Sequence, residues 1–148
     1  MTLGNRWTLD NRWVTADGTL NELPLTIHYR EDWQATASSG RFPICIQIAW
    51  QGKTRDESNA YPAQQEMQQI EVFHHQLQQQ LEQGEHCMIA MVLTHDGLNQ
   101  WVLYCDDIEP VKEGLDQLIA PPEGFPIEIV ADEDAQWHTF KKVHQVIQ

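Results

Sequence analysis

The sequence predicts an α+β fold in which two helices pack on one face of an antiparallel sheet. Three observations lead to this expectation: segments with a two-residue apolar period, segments with a helical apolar period, and their order along the chain. The chain has 148 residues, which is the usual size of one domain, so we expect a single domain over 1–148. Apolar residues make up 41% of it, enough to build a packed core.

Two strands are expected before the core, within residues 1–33. The first lies in 5–14 and is followed by a turn at Asp17-Gly18, a dipeptide that favours tight turns. The second spans 25–33, where apolar and polar side chains alternate. The segment 34–41 contains serines and a glycine and is expected to be a loop. Because 33 residues are too few for a core of their own, we interpret these strands as an extension of the domain.

The core is expected over residues 42–131. Its elements alternate between the two apolar periods, and a turn at His95–Leu98 joins two of its strands into a hairpin. In chain order we expect a strand over 42–50, a helix over 62–83, strands over 87–94 and 100–105, a helix over 110–119 and a strand over 125–129. This order is the ferredoxin-like split β-α-β plan, an antiparallel sheet with two helices on one face.

Two details of the helices follow from composition. Gly114 lies inside the second core helix and is expected to weaken it by about 1 kcal/mol relative to Ala. A final helix is expected over 134–146, with Asp132, Glu133 and Asp134 at its start, where the helix dipole favours acidic groups. The residues of the second core helix expected to point inward are Val111, Leu115, Leu118 and Ile119.

The charge of the chain excludes several classes of function. Nine Lys and Arg against 22 Asp and Glu give a net charge of -13, which disfavours direct binding to nucleic acid or to an anionic membrane surface. There is no signal-peptide pattern at the N-terminus and no apolar run long enough for a membrane helix. Cys45, Cys87 and Cys105 stand in apolar strand patterns and are expected to be buried, reduced thiols of a cytoplasmic protein.

No catalytic residue, metal site or cofactor site is assigned from the sequence. His74 and His75 are adjacent on a helix, so their side chains diverge by about 100° and do not form a chelating pair. Asp106, Asp107 and Glu109 could ligate a divalent cation, or could simply be favoured at the start of the following helix. A glycine-rich phosphate loop and a Gly-x-Ser-x-Gly nucleophile motif are both absent from the sequence.

The acidic residues are concentrated in the second half of the chain. Residues 75–148 carry three basic and 13 acidic side chains, a net charge of -10. We therefore expect a non-catalytic regulatory or interaction module that binds a basic protein partner. The alternatives are a small metal-dependent hydrolase using the carboxylates of 106–109 with a histidine, and a homodimer formed through an exposed sheet face. The candidate acidic surface consists of Asp106, Asp107, Glu109, Glu113 and Asp116.

Four short motifs stand in a fixed order along residues 25–142. They are Arg41-Phe42-Pro43 before an apolar strand, Glu66 with Ile70-Glu71 on the next helix, Thr94-x-x-Gly97 leading into Trp101-x-x-Tyr104, and Asp134-Ala-Gln-Trp137. With these motifs the chain resembles the bacterial domain of unknown function 695 family. It departs from the family pattern at Ala60-Tyr61-Pro62, where a Gly-Leu-Pro-like step is usual, and at Ala135, which replaces a proline.

The resemblance implies a small α+β domain without an assigned activity. It also implies a relation in plan to a ferredoxin-like module that regulates ribonuclease E by binding it, which is an analogy of fold. The family-motif residues carried over as candidate site residues are Arg41, Glu66, Glu71, Tyr104, Asp134 and Trp137.

Overall fold

The computed structural model describes residues 12–52, 61–82, 86–122 and 124–147. The described part of the chain contains six strands and four helices, so the α+β class is confirmed. In chain order they are β1 Trp13–Leu20, β2 Leu23–Arg30, α1 Trp33–Ser38, β3 Ile44–Trp50, α2 Gln64–Leu81, β4 Cys87–His95, β5 Leu98–Cys105, α3 Ile108–Asp116, β6 Ile127–Glu133 and α4 His138–His144, with a 3-10 turn at Gln145–Ile147. None of the described helices is long and apolar enough to cross a membrane.

The six strands form one antiparallel sheet in the order β6-β3-β5-β4-β2-β1. Its first four strands, β6-β3-β5-β4, have the order and directions of the ferredoxin-like plan predicted for the core. The hairpin β1–β2 pairs with the outer edge of β4. The N-terminal strands therefore widen the core sheet instead of packing elsewhere.

Helices pack on both faces of the sheet. On the first, here called the α2 face, Phe73 and Leu77 of α2 and Val111 of α3 pack on Ile48 and Trp101. On the opposite face, here called the α4 face, the aromatic side chains of α1 and α4 are packed against the sheet. The residues of that second core include Leu25, Trp33, Met88, Tyr104 and Phe140. Two core helices lie on one face, as expected, and the additional helices α1 and α4 pack on the other.

The turn predicted at Asp17-Gly18 is wrong. Both residues lie within β1, where Gly18 pairs with Leu25, and the chain reverses at Asn21-Glu22. These two residues have φ of 52° and 68°, as the two central positions of a type I′ turn require. This register places Ala16 and Gly18 opposite Ile27 and Leu25, so the small residues pack beside the apolar face of β2. Residues 5–11 of the predicted first strand lie outside the described part of the chain.

The loop predicted over 34–41 is wrong in its first half, because α1 covers Trp33–Ser38. Trp33 is 9% exposed, and its ring lies 4.6 Å from the ring of Phe140 in α4. Helix propensity is weak in this serine-containing segment, and burial of an aromatic side chain against a distant helix overrides it.

Two further expectations are corrected at the ends of helices. Ile119 was expected to point inward but is 80% exposed, because α3 ends at Asp116 and the helical period stops there. Asp132 and Glu133 belong to β6 rather than to the start of the last helix. Asp134 alone of this acidic run caps α4, accepting hydrogen bonds from the backbone N–H groups of 138 and 139.

Candidate functional site

The five residues of the candidate acidic surface lie at the start of α3 and along it. All of them are exposed: Asp106, Asp107, Glu109, Glu113 and Asp116. The carboxylate of Asp107 accepts a hydrogen bond from the backbone N–H of Glu109 at 3.0 Å, so it caps α3. The Glu109 carboxylate lies 3.7 Å from the ammonium of Lys112. Asp107 therefore has the structural role of a helix cap.

The arrangement of these carboxylates differs from a metal site. Asp106 lies 3.0 Å from Nδ1 of His86, while Asp107 faces the α3 backbone. Within the described residues, no group of three or more His, Cys, Asp and Glu side chains is placed to hold a metal ion.

Three of the family-motif residues meet on the α4 face, in what we call the Tyr104 cluster (Tyr104, Asp134, Trp137). The rings of Tyr104 and Trp137 stack with centroids 3.9 Å apart and an angle of 7° between their planes. The Tyr104 hydroxyl donates to the Asp134 carboxylate at 2.8 Å and accepts from the backbone N–H of Phe140 at 3.2 Å. The indole N–H of Trp137 donates to the carbonyl of Phe42 at 3.0 Å, linking the cluster to the Arg41-Phe42-Pro43 motif.

The Tyr104 cluster has a structural role, because its hydrogen bonds and stacked rings hold α4 against β5. Burial alone would raise the pKa of Asp134, but hydrogen bonds from Thr139, Tyr104 and His138 outweigh it and lower that pKa. Burial raises the pKa of the Tyr104 hydroxyl far above its ordinary value, so it stays protonated and donates to the carboxylate. Tyr104 and Trp137 are at most 1% exposed. The cluster joins α4 to β5, and its buried rings leave little surface for a ligand.

The other family-motif residues lie apart from this cluster. Arg41 is half-buried beside Phe42, with its guanidinium 5.6 Å from that ring centroid. Glu66 is 5% exposed and accepts a hydrogen bond from the indole N–H of Trp50 at 2.9 Å. Glu71 is exposed and lies 3.7 Å from the imidazole of His75. The two carboxylates of α2 therefore have separate surroundings, as their five-residue spacing predicts.

A cavity of about 590 Å³ opens between α2 and the part of the sheet that the hairpin adds; we call it the α2 cavity. The first three turns of α2, from Gln64 to His74, form one wall. The strand residues that line it are Trp13, His28, Val92, Thr94, Asn99 and Trp101. α2 and α3 pack on the core strands, and among the described residues no helix covers the area that β1 and β2 add beside them on this face.

The deepest polar groups of the α2 cavity are Thr94 and Asn99, which face each other across the hairpin β4–β5. The Thr94 hydroxyl donates to the side-chain oxygen of Asn99 at 2.7 Å. Asn99 is 1% exposed, and its side-chain N–H₂ has no hydrogen-bond partner among the described residues. A buried donor without a partner is costly, and such a group in a native fold requires an explanation, for example a bound water, ion or ligand.

His74 forms the wall next to this pair. Its Nδ1 accepts a hydrogen bond from the indole N–H of Trp101 at 3.1 Å, so a neutral ring carries its hydrogen on Nε2. Burial lowers the pKa of His74 to about 4, with smaller contributions from the positive charges of His75, Arg30 and His28. The imidazole is therefore uncharged at neutral pH and presents a hydrogen-bond donor and a flat ring.

The sequence alone does not reveal the α2 cavity as a site. Glu71 on its wall and Thr94 and Trp101 on its floor belong to family motifs, but no ligand between them is predicted. The missed residues are His28, His74 and Asn99, which belong to three different elements. The sequence does contain a signal for this site, in β2. Thr26, His28 and Arg30 alternate with apolar residues there, whereas a strand covered on both faces is expected to be apolar throughout.

The three cysteines are buried, as expected, and form no disulfide. Burial raises the pKa of Cys45 and of Cys105 to about 11, and it raises the pKa of Cys87 as well. A protonated, buried thiol is a poor nucleophile. The cysteines therefore act as small core residues.

Comparison with protein families gives one match to this chain. The model described as "Family of unknown function (DUF695)" matches residues 11–143. Comparison with curated proteins finds no match, and comparison with solved structures finds none either. The matched region contains β1 to β6, the Tyr104 cluster and the α2 cavity. Since it covers most of the chain, this protein belongs to the family of unknown function DUF695.

Proposed function

We propose that the protein is a non-catalytic interaction module of the cytoplasm that binds a basic protein through the acidic surface around α3. The observation that carries this proposal is the exposure of all five acidic side chains between Asp106 and Asp116. Lys112 is the single cation in that segment, and it lies beside Glu109. The local field is therefore negative and attracts a positively charged partner.

Exposed apolar side chains near the end of α3 support the same proposal. Ile119 is 80% exposed and Val72 on α2 is 57% exposed. The side chain of Gln76 bonds both the N–H and the carbonyl of Ile119 and holds this segment against α2. A groove of about 280 Å³ lies beside them. Apolar anchors next to a charged rim are typical of protein interfaces.

The test compares two variants that remove the same charge from different surfaces. The first, Glu109→Gln/Glu113→Gln/Asp116→Asn, neutralises the α3 surface and leaves the cap Asp107 intact. The matched control, Glu128→Gln/Asp132→Asn/Glu133→Gln, neutralises three exposed acids on β6. Each protein is immobilised and exposed to a native cell lysate at about 0.05 M and about 0.5 M salt. The Debye length is about 10 Å at 0.1 M, so it is longer than this in the first buffer and shorter in the second.

We expect the wild type and the β6 control to retain the same basic protein at low salt and to release it at high salt. The α3 variant should not retain it. An RNA-binding enzyme is one class of basic protein that fits, in line with the relation implied by the family resemblance. Retention that is equal for the α3 variant, or that does not change with salt, would overturn the proposal. A circular dichroism melt of each variant checks that the fold is kept.

A further inference from the structure

The α2 cavity is lined by residues other than the acidic residues of α3, and we consider its ligand separately. Its volume of about 590 Å³ is in the range of small-molecule sites. Its lining combines aromatic rings with a few polar groups, which is the usual composition of such sites. We propose that the α2 cavity binds an uncharged planar heteroaromatic compound with an amide-type edge, such as a nucleobase or a nucleoside, through Asn99 and Thr94.

The hydrogen-bonding pattern at the base of the cavity selects the edge of this ligand. The side-chain N–H₂ of Asn99 is a buried donor without a partner among the described residues. The Thr94 hydroxyl donates its hydrogen to Asn99, so its oxygen can act towards a ligand only as an acceptor. A neighbouring donor and acceptor complement a ligand carbonyl next to a ligand N–H, which is the edge of a lactam, a primary amide or a pyrimidine base.

The aromatic walls select a flat ligand. Trp101 is fully buried in the floor of the cavity, and its N–H is already bonded to His74. The ring of Trp13 stands edge-on to His74 with centroids 6.1 Å apart, so two indoles and an imidazole border the space. Rings of this kind favour offset stacking or edge contacts with another aromatic system.

The charges around the cavity select an uncharged ligand. The Glu71 carboxylate at the wall repels a phosphate, and the described lining residues include no Lys or Arg to bind one. The guanidinium of Arg30, 4.1 Å from the ring centroid of Trp13, is balanced by the Glu82 carboxylate and adds no charge for an anion to bind. The imidazole of His74 is neutral as well. A phosphorylated nucleotide is therefore a poorer ligand than a neutral base.

The test is an NMR titration of the full chain labelled with nitrogen-15. The probes are uridine, inosine and nicotinamide, each with a carbonyl next to an N–H, and uridine 5′-monophosphate is the charged comparison. We expect at least one uncharged probe to shift the Asn99 side-chain N–H₂ and Trp101 indole N–H signals saturably, with Kd below about 1 mM. The monophosphate should bind more weakly than uridine.

The matched variants separate the site from the fold. Thr94→Val/Asn99→Leu removes both polar partners with little change of shape, so the protein should stay folded while the affinity falls by at least about tenfold. Thr94→Val alone removes the acceptor if the double variant does not fold, and it should also weaken binding. The control Gln47→Met/Gln100→Met removes another cross-strand pair, bonded at 2.7 Å, on the α4 face and should bind like the wild type.

Three results would overturn the inference. One is the absence of any saturable shift with all three uncharged probes up to about 10 mM, as expected of a cavity that holds only water. Another is an unchanged affinity in Thr94→Val/Asn99→Leu or in Thr94→Val. The third is tighter binding of the monophosphate than of uridine. None of these depends on the acidic surface of α3, so this inference and the proposed function fail or survive separately.

Discussion

Arg30 and Glu82 form a buried ion pair that ties the N-terminal hairpin to the end of α2. Nη2 of Arg30 donates to both carboxylate oxygens of Glu82 at 2.7 Å, and the two side chains are 0% and 7% exposed. Both also bond the backbone of Ile89, Arg30 to its carbonyl and Glu82 to its N–H. The β4–β5 pairing shifts register between Ile89 and Met91, so the ion pair satisfies backbone groups at an irregularity of the sheet.

Breaking this pair should destabilise the protein strongly. Glu82→Gln leaves the buried guanidinium without a counter-charge, and the expected loss in the free energy of unfolding is about 3–5 kcal/mol. Urea denaturation followed by circular dichroism measures it. The exposed pair of Lys112 and Glu109 provides the control, because Lys112→Ala should change the stability by less than about 1 kcal/mol. Equal stability of Glu82→Gln and the wild type would show that the pair contributes little.

His74 should make the stability depend on pH between 4 and 6.5. Burial lowers its pKa from 6.5 to about 4 in the folded protein, so at intermediate pH the unfolded chain binds more protons than the folded one. The stabilising contribution is complete above pH 6.5 and is lost as the pH falls towards 4. Because the ring is partly exposed, solvent screening reduces the expected loss to about 1–2 kcal/mol.

Two variants isolate the effect of His74. His74→Asn keeps an acceptor near the indole N–H of Trp101 but does not titrate, so its unfolding free energy should fall less steeply below pH 6.5. Gln79→Asn, at an exposed position of the same helix, introduces and removes no titratable group and should leave the pH profile of the wild type unchanged. The measurement is urea unfolding at a series of pH values. Identical profiles for His74→Asn and the wild type would assign the acid sensitivity to other groups.

Gly114→Ala should destabilise the protein although it improves helix propensity. A Cβ at this position would lie 2.4 Å from Cδ2 of Leu81 and 3.2 Å from the carbonyl oxygen of Gln80. The overpacking between α2 and α3, about 1–3 kcal/mol, should exceed the gain of about 1 kcal/mol in propensity. The low helix propensity predicted for Gly114 still applies, but the close approach of α2 and α3 leaves no room for a Cβ at this position.

A double-mutant cycle with Leu81→Val tests the origin of this cost. Shortening Leu81 makes room for the new methyl group, so Gly114→Ala should cost less in that background than in the wild type. Urea denaturation of the four proteins gives the coupling free energy. Additive effects of the two substitutions would mean that the contact with Leu81 is not the cause.

Tyr104→Phe should loosen α4 from the sheet. It removes the donor to Asp134 and the acceptor of the buried Phe140 N–H while keeping the stacked ring. We expect a loss of about 1–3 kcal/mol in unfolding free energy. Relative to the wild type, the substitution should accelerate hydrogen exchange more in α4 than in β4, because the lost hydrogen bonds hold α4 on the sheet. Tyr29→Phe, whose ring also contacts Phe140 at 6.3 Å, serves as the comparison and should cost less.

The core elements were predictable because their signals are local. The alternation in β3, the helical period of α2 and the turn at Asp96-Gly97 are each contained in a few neighbouring residues. The order of these elements then restricts the topology, and the observed order of the four core strands agrees. The exposure of the acids along α3 was likewise foreseen from their clustering in the sequence.

Local patterns are enough to predict the split β-α-β core, the acidity of the second half and the burial of the cysteines. Folding adds what no local pattern shows: where the hairpin β1–β2 turns and pairs, that α1 is a helix, and that His74 and Asn99 line the same cavity. These features depend on contacts between residues distant in the chain, which leave no local period. A buried donor such as Asn99 looks like an ordinary turn residue until the fold removes it from water.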